Sequence, residues 1–136
     1  GSRFGALHVS MLSPRLLREH RWSGDGELAN VPGVVLIDEK CISASDVFAA
    51  GMKVLPGVTL VGRPARGAGG MSETTEIGAH LEVKISTMVS YMVDGKVFDW
   101  HGIAPDVPVE LSPEDFTRDG RDTALEAAFE AVRTGR

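Results

Sequence analysis

The chain has 136 residues, 43% of them hydrophobic and 24% charged, the size and make-up of one globular domain able to bury a core. Its formal net charge of -5 and pI near 5.3 exclude a general nucleic-acid or membrane-surface binder, because phosphate-rich partners select clustered Lys and Arg. A single cysteine, Cys41, excludes an intrachain disulfide and a thiolate metal cluster, and no run approaches the roughly 18 apolar residues of a membrane span.

Leu12, Leu16 and Leu17, separated by basic residues behind Ser13-Pro14, predict a short helix over Met11 to Trp22. Polar and Gly-rich residues from Ser23 to Asn30 predict a loop ending at Val31-Pro32-Gly33. Val34 to Ile37 is a continuous apolar run too short for a helix, so it reads as a strand buried on both faces. Ala44, Val47, Phe48, Met52 and Leu55 recur at helical spacing until Pro56-Gly57 ends the run, and Val58 to Val61 follows as a second strand. Strand, helix and strand in so few residues predict a right-handed βαβ crossover of an α/β fold, with the carboxyl edge of its strands as the natural place for a site.

Gly62 to Gly70 reads as a Gly-rich loop, and Leu81 to Val93 as one long strand or a bent pair. Asp94-Gly95 is a hairpin turn into Lys96 to Phe98, and Gly102 to Glu110, with two prolines, is an extended edge segment. Ala124, Leu125, Ala128, Phe129 and Val132 share one face of a C-terminal helix over Asp122 to Val132. The chain divides accordingly into an N-terminal helix and loop (1–33), a core (34–110) and a C-terminal helix (111–136).

Ser43 stands where a strand and a short loop turn into a helix, beside orphan N–H groups and the positive end of the helix dipole. Two readings fit that position. A nucleophile there would have its developing oxyanion stabilised; alternatively, Ser43-Ala44-Ser45-Asp46 is a capping box in which Ser43 caps the helix and Asp46 reaches back.

Val34 to Asp46 resembles the strand, Ser-Ala-Ser-Ala-Ser-Glu motif and helix of the tail-specific serine peptidases, with Cys41-Ile42 at the first two motif positions and Ser43 at the nucleophile's. Leu60 to Gly70 is similar to that family's second strand and Val-Gly-Glu-Pro-Thr-Gly-rich loop. Asp94 to Val107 resembles its closing hairpin and Gly-Ile-x-Pro-Asp-Val signature. The resemblance, to peptidase family S41, implies a ClpP/crotonase-like spiral ββα fold, here a partial domain. It also implies Ser43 as nucleophile, the Ala44 N–H as an oxyanion donor, and Gly67, Ala68, Gly69 and Gly70 along a peptide substrate.

Two departures qualify the resemblance. The lysine base of the Ser-Lys branch corresponds to Ala68, which cannot take a proton, and Lys53 is out of register and reads as a solvated surface residue. The chain therefore looks closer to the tricorn-like and retinoid-binding-repeat branch, whose enzymes use a histidine from an earlier segment. Asp99 occupies the position of that branch's network carboxylate, implying a role in orienting the base. The upstream Gly-Gly oxyanion stretch of the family is not found here.

Of the four histidines, His101 is either a partner for Asp99 or a turn residue, and His80 reads as a sheet residue. No His pair has the i, i+4 spacing of a zinc site, and Gly67 to Gly70 lacks the Lys-Ser/Thr ending of a phosphate loop, so no metal and no cofactor are expected. The expectation is a serine endopeptidase fragment acting on peptides or unfolded protein, inactive alone, completed by an upstream remainder of the protease domain and prone to self-association. The alternative is a non-catalytic module of the same fold that binds a peptide or an apolar ligand. The compartment is left open.

Overall fold

The computed structural model describes residues 2–11, 13, 17–23, 31–117 and 120–135. Among these described residues the strands form three small sheets. β1 (Ser2–Ser10) lies between β2 (Leu17–Ser23) and β7 (Met88–Tyr91), all antiparallel. β3 (Gly33–Ile37), β4 (Val58–Gly62) and the short β8 (Val107–Pro108) form a parallel sheet with β4 in the centre. β5 (Ser72–Ile77) and β6 (Leu81–Ser86) make a hairpin with no third strand among the described residues. The helices are α1 (Ala44–Lys53) and α2 (Thr123–Thr134), with a short 3-10 turn at Pro113–Phe116 before the latter.

The expected βαβ unit is present: β3 and β4 run parallel, in register from Gly33 with Val58 to Ile37 with Gly62, and α1 connects them. Strand alternation sends side chains to two different helices. Val35, Ile37, Val58 and Leu60 meet Ala49 and Ala50 of α1, in a core shared with Ala6, Phe98 and Ile103. On the other face Val34 and Val61 meet Ala127, Ala128 and Ala131 of α2, together with Val107 and Val109. α1 also packs on β1, so it touches both the parallel and the antiparallel sheet.

Several expectations require correction. Residues Leu17 to Trp22 are not helical; they belong to β2, whose backbone pairs with β1 from Val9–Leu17 to Ser2–Ser23. Pairing with the preceding strand β1 overrides the leucine spacing. Leu12, Pro14 and Leu16, and the loop expected over 24–30, lie outside the described residues. β3 is not buried along both faces: Ile37 is buried, yet Leu36 is 44% exposed, because the α2 cluster reaches Val34 and not Leu36. α2 packs by its small residues and leaves Leu125, Phe129 and Val132 exposed, since alanines allow the helix to approach Val61 closely.

The Leu81–Val93 stretch is a bent pair. Thr87 is the corner: its N–H donates to Met71 O (2.9 Å) and its carbonyl accepts from Met11 N (2.8 Å), so β6 continues the outer hairpin while β7 joins β1. His80 stands exposed in the turn of that hairpin rather than in a sheet. Asp94-Gly95 forms the expected turn, closed by Met92 N to Lys96 O (2.8 Å), although the returning strand is reduced to a single bridge, Tyr91 with Val97. No described helix is long and apolar enough to cross a membrane.

Candidate active site

The chain leaves β3 through two successive turns that lead into α1. Asp38 makes the first, its Oδ1 accepting Lys40 N (2.8 Å) and its carbonyl accepting Cys41 N (3.0 Å). Ile42 to Ser45 makes the second, closed by Ser45 N to Ile42 O at 3.2 Å, with Ser43 at φ 59, ψ -113. Those angles belong to the first central position of a type II′ turn, where glycine is the usual residue. A serine there is strained by about 1–3 kcal/mol, and such strain concentrates at functional sites.

The capping box does not form at Ser43. Its side chain makes no capping hydrogen bond and is exposed. Ser45 takes over locally, its Oγ accepting Ile42 N (3.1 Å) and donating to Ile42 O (2.8 Å). Ala44 is the first residue of α1 and is exposed, so its N–H is one of the helix's orphan donors and lies one peptide beyond the Ser43 hydroxyl.

Asp46 turns away from the cap and into the protein. It is fully buried and accepts Gly67 N (2.9 Å) on Oδ1 and Ala68 N (3.0 Å) on Oδ2. Asp99, 4% exposed, accepts Gly69 N (2.9 Å) and Gly70 N (3.0 Å) on Oδ1, and Ser90 N (2.7 Å) on Oδ2. The carboxylate expected to orient a base is thus engaged by three backbone donors. With Arg66 N to Cys41 O (2.9 Å), these bonds fasten the Gly-rich loop to both sides of the Ser43 turn, at Cys41 and at Asp46.

The glycines of this loop have an internal reason. Gly67 has φ +74, and a Cβ there would come within 2.4 Å of Gly102 N and 2.5 Å of Phe98 O; at Gly69 it would fall 2.5 Å from the Phe98 ring. The close approach is to the 98–102 turn, and Gly67 and Gly69 are buried; Ala68 is the exposed residue between them. Trp100, the other described non-glycine residue at positive φ (66), is 75% exposed and donates its N–H to Gly67 O (2.6 Å).

His101 is an exposed turn residue; its Nδ1 lies 3.0 Å from the Asp99 carbonyl oxygen, not from the carboxylate. Lys53 is partly exposed, but its ammonium group is engaged by protein acceptors. Its Nζ donates to Ala104 O (2.9 Å) and to Asp106 Oδ1 (2.6 Å), while Asp106 Oδ2 accepts Leu60 N (2.9 Å) and Asp106 N donates to Leu60 O (2.7 Å). The Gly-Ile-x-Pro-Asp segment is therefore tied to the edge of β4 and to the end of α1, a role that its sequence did not reveal.

At the carboxyl ends of β3 and β4, on the α2 side, Leu36, Ile37, Leu111 and Phe116 line a groove with Asp38 and Arg63. Arg63 Nε and Nη2 donate to the two Glu39 carboxylate oxygens (2.8 and 3.0 Å). The guanidinium hydrogen bond holds Glu39 well below its ordinary 4.5, at about 2.

The same fold occurs in known proteins. A peptidase structure from Parabacteroides merdae ATCC 43184, assigned to that class only provisionally, superposes with a TM-score of 0.78 at 26% identity, over 96% of this chain and 43% of its own. The photosystem II D1 C-terminal processing protease gives 0.66 at 22% identity, over 90% and 33%. A lipoprotein from Streptococcus agalactiae gives 0.70 at 14%, over 97% and 45%. The two matches of lower identity speak for the fold alone, and the chain spans less than half the length of each of these structures. No curated protein matches the sequence. The family model described as Peptidase family S41 matches residues 13–109, which contain the Ser43 turn, the Gly-rich loop and the Gly-Ile-x-Pro-Asp segment, and the chain belongs to that family.

Proposed function

We propose that this chain carries the nucleophile of a serine peptidase whose general base comes from a segment outside these residues. In this reading the Ser43 Oγ attacks a peptide carbonyl carbon while its proton passes to that base. The tetrahedral oxyanion accepts a hydrogen bond from the Ala44 N–H, and collapse expels the amine, which takes the proton from the base. Water then hydrolyses the Ser43 ester by the same steps, releasing the acid. The observation that carries the reading is the Ser43 backbone: a serine held at φ 59 between strand and helix, with its hydroxyl exposed and no capping bond to make.

Ala68 at the position of the Ser-Lys branch's base supports the tricorn-like branch, in which a histidine from elsewhere serves. The substrate class is a peptide or unfolded protein strand, running past the loop that includes Gly67, Ala68, Gly69 and Gly70 and meeting it at Ala68. Asp99 enters through the loop that it holds. Alone, the chain lacks a base, and self-association through exposed strand edges or apolar surface is part of the same proposal.

A fluorophosphonate probe tests the assignment. The full-length protein containing this chain should be labelled at Ser43 and should lose both labelling and peptide cleavage in Ser43→Ala. The isolated 136-residue chain should label at least a hundredfold more slowly, on the order expected when base catalysis is missing. Labelling that survives Ser43→Ala would sink the nucleophile assignment. Fast labelling of the isolated chain would sink the claim that the base lies elsewhere, and a full-length protein that folds and never labels would favour a binding module.

A further inference from the structure

We propose that Asp46 and Asp99 are a pair of positioning residues that together set the Gly-rich loop against the Ser43 turn, with Asp46 governing the half nearest the nucleophile. The inference rests on the peptidase reading for its functional consequence. Its structural part stands without it.

Four successive amides, those of Gly67, Ala68, Gly69 and Gly70, donate to just two side chains. Both carboxylates are more than nine-tenths buried, and the hydrogen bonds found for them come from backbone N–H groups rather than from a cation. A buried carboxylate is costly unless donors surround it, so loop and carboxylates need one another. Such charge-assisted bonds are about twice as strong as neutral ones. The two anchors reach different parts of the fold. Asp46 belongs to the first turn of α1, three residues after Ser43; Asp99 also binds Ser90 N and so ties the loop to β7.

A consequence for substrate binding follows. With the four N–H groups of Gly67 to Gly70 spent inward, this stretch offers no backbone donor to an oxyanion; the residue it exposes toward a peptide is Ala68. Oxyanion donors must then come from Ala44 and from outside the loop. The loop's contribution is placement: a rigid wall whose distance from Ser43 is fixed by the Asp46 side chain, and misplacement of about 1 Å in such a wall can cost on the order of 100-fold in rate.

Amide hydrogen exchange on the 136-residue chain reads the clamp directly. In the wild type the four loop amides should exchange nearly as slowly as Leu60 and Val61 in β4; exchange at free-loop rates would overturn the proposal without any variant. Asparagine keeps one acceptor oxygen and turns an NH2 toward the second amide. Asp46→Asn should therefore speed Gly67 and Ala68 by about tenfold or more, leaving Gly69, Gly70 and Ser90 within about threefold. Asp99→Asn should do the reverse, and Asp46→Glu, which retains the carboxylate, should restore protection. Uniform loss across all five amides in a variant whose β4 amides stay protected would refute two separate anchors. If Asp46→Asn unfolds the chain, the wild-type rates and Asp99→Asn still decide.

In the full-length protein, the rate of Ser43 labelling should fall by about tenfold or more in Asp46→Asn and recover in Asp46→Glu at unchanged thermal stability. Lost loop protection with an unchanged labelling rate would overturn the positioning role. Absence of labelling in the wild type would instead overturn the peptidase reading, leaving the exchange pattern to judge the clamp.

Discussion

The backbone of Ser43 makes a prediction that separates a strained nucleophile from a helix cap. If φ 59 is imposed on a residue that disfavours it, Ser43→Gly relieves about 1–3 kcal/mol of strain, less the 0.5–1 kcal/mol or so that glycine loses in unfolded-state freedom. The net expectation is a stabilisation of about 1 kcal/mol, or roughly 3–5 °C in melting temperature for a domain of this size. Ser43→Ala removes no capping bond and keeps the strain, so it should lie within about 0.5 kcal/mol of wild type. A cap predicts the opposite order, with alanine losing about 0.5–2 kcal/mol and glycine a few tenths. Urea denaturation followed by far-UV circular dichroism, with equal m-values required across the three proteins, measures the order. Alanine destabilised by 1 kcal/mol or more, together with glycine no more stable than serine, would refute the strain argument and return Ser43 to the status of a cap.

Three further outcomes follow from the contacts around the site. Gly67→Ala should destabilise the chain by at least about 2 kcal/mol, because its Cβ would meet Gly102 N at 2.4 Å at a backbone angle alanine disfavours; chemical denaturation with a loss below about 0.5 kcal/mol would mean that the loop yields easily. Asp106→Ala should cost more than Lys53→Met, since the partly exposed ion pair is worth about 1 kcal/mol or less while Asp106 also satisfies Leu60 N; equal losses in the same assay would contradict that division. Glu39 has its pKa depressed from 4.5 to about 2 in the fold, so its contribution to stability is present above pH 4.5 and disappears as pH falls toward 2. Glu39→Gln should flatten the acid side of the stability profile between those values, an effect weakened by salt at this exposed pair; an unchanged slope would show that the pair contributes nothing.

Much of the core was legible because its signals are local. Val34–Ile37 and Val58–Val61 flank a helical period that a proline ends, and no distant partner is needed to read strand, helix, strand. Leu17–Trp22 was misread because its strand is set by its partners and not by its own period. β2 exists through β1, and β1 through β7, some eighty residues away, so leucine spacing in Met11–Trp22 carried no information about its partner. α2 shows a subtler failure: the helix was read correctly, but the face assigned to the core held Leu125, Phe129 and Val132, whereas Val61 packs on Ala127, Ala128 and Ala131 and those larger residues are exposed.

At the site, residue types were legible and their partners were not. Ser43 stood out by its place between strand and helix, yet a capping box and a nucleophile share one pattern; the backbone angle speaks against the cap, and φ is not written in a sequence. Asp46 was read as the far half of that box and Asp99 as an orienting acid, when both meet the same loop from opposite sides. One clue was available. A run of glycines carries amide donors without side chains to satisfy them, and when such a run cannot remain in water some acceptor must be found for each N–H. Two aspartates, Asp46 in the first turn of α1 and Asp99 beside the closing turn, are where those acceptors had to be sought. Strain at Ser43 is then tolerable for a physical reason: Arg66 N holds Cys41 before it and Asp46 holds the loop after it, so the turn is over-determined from both ends and cannot relax without releasing the loop.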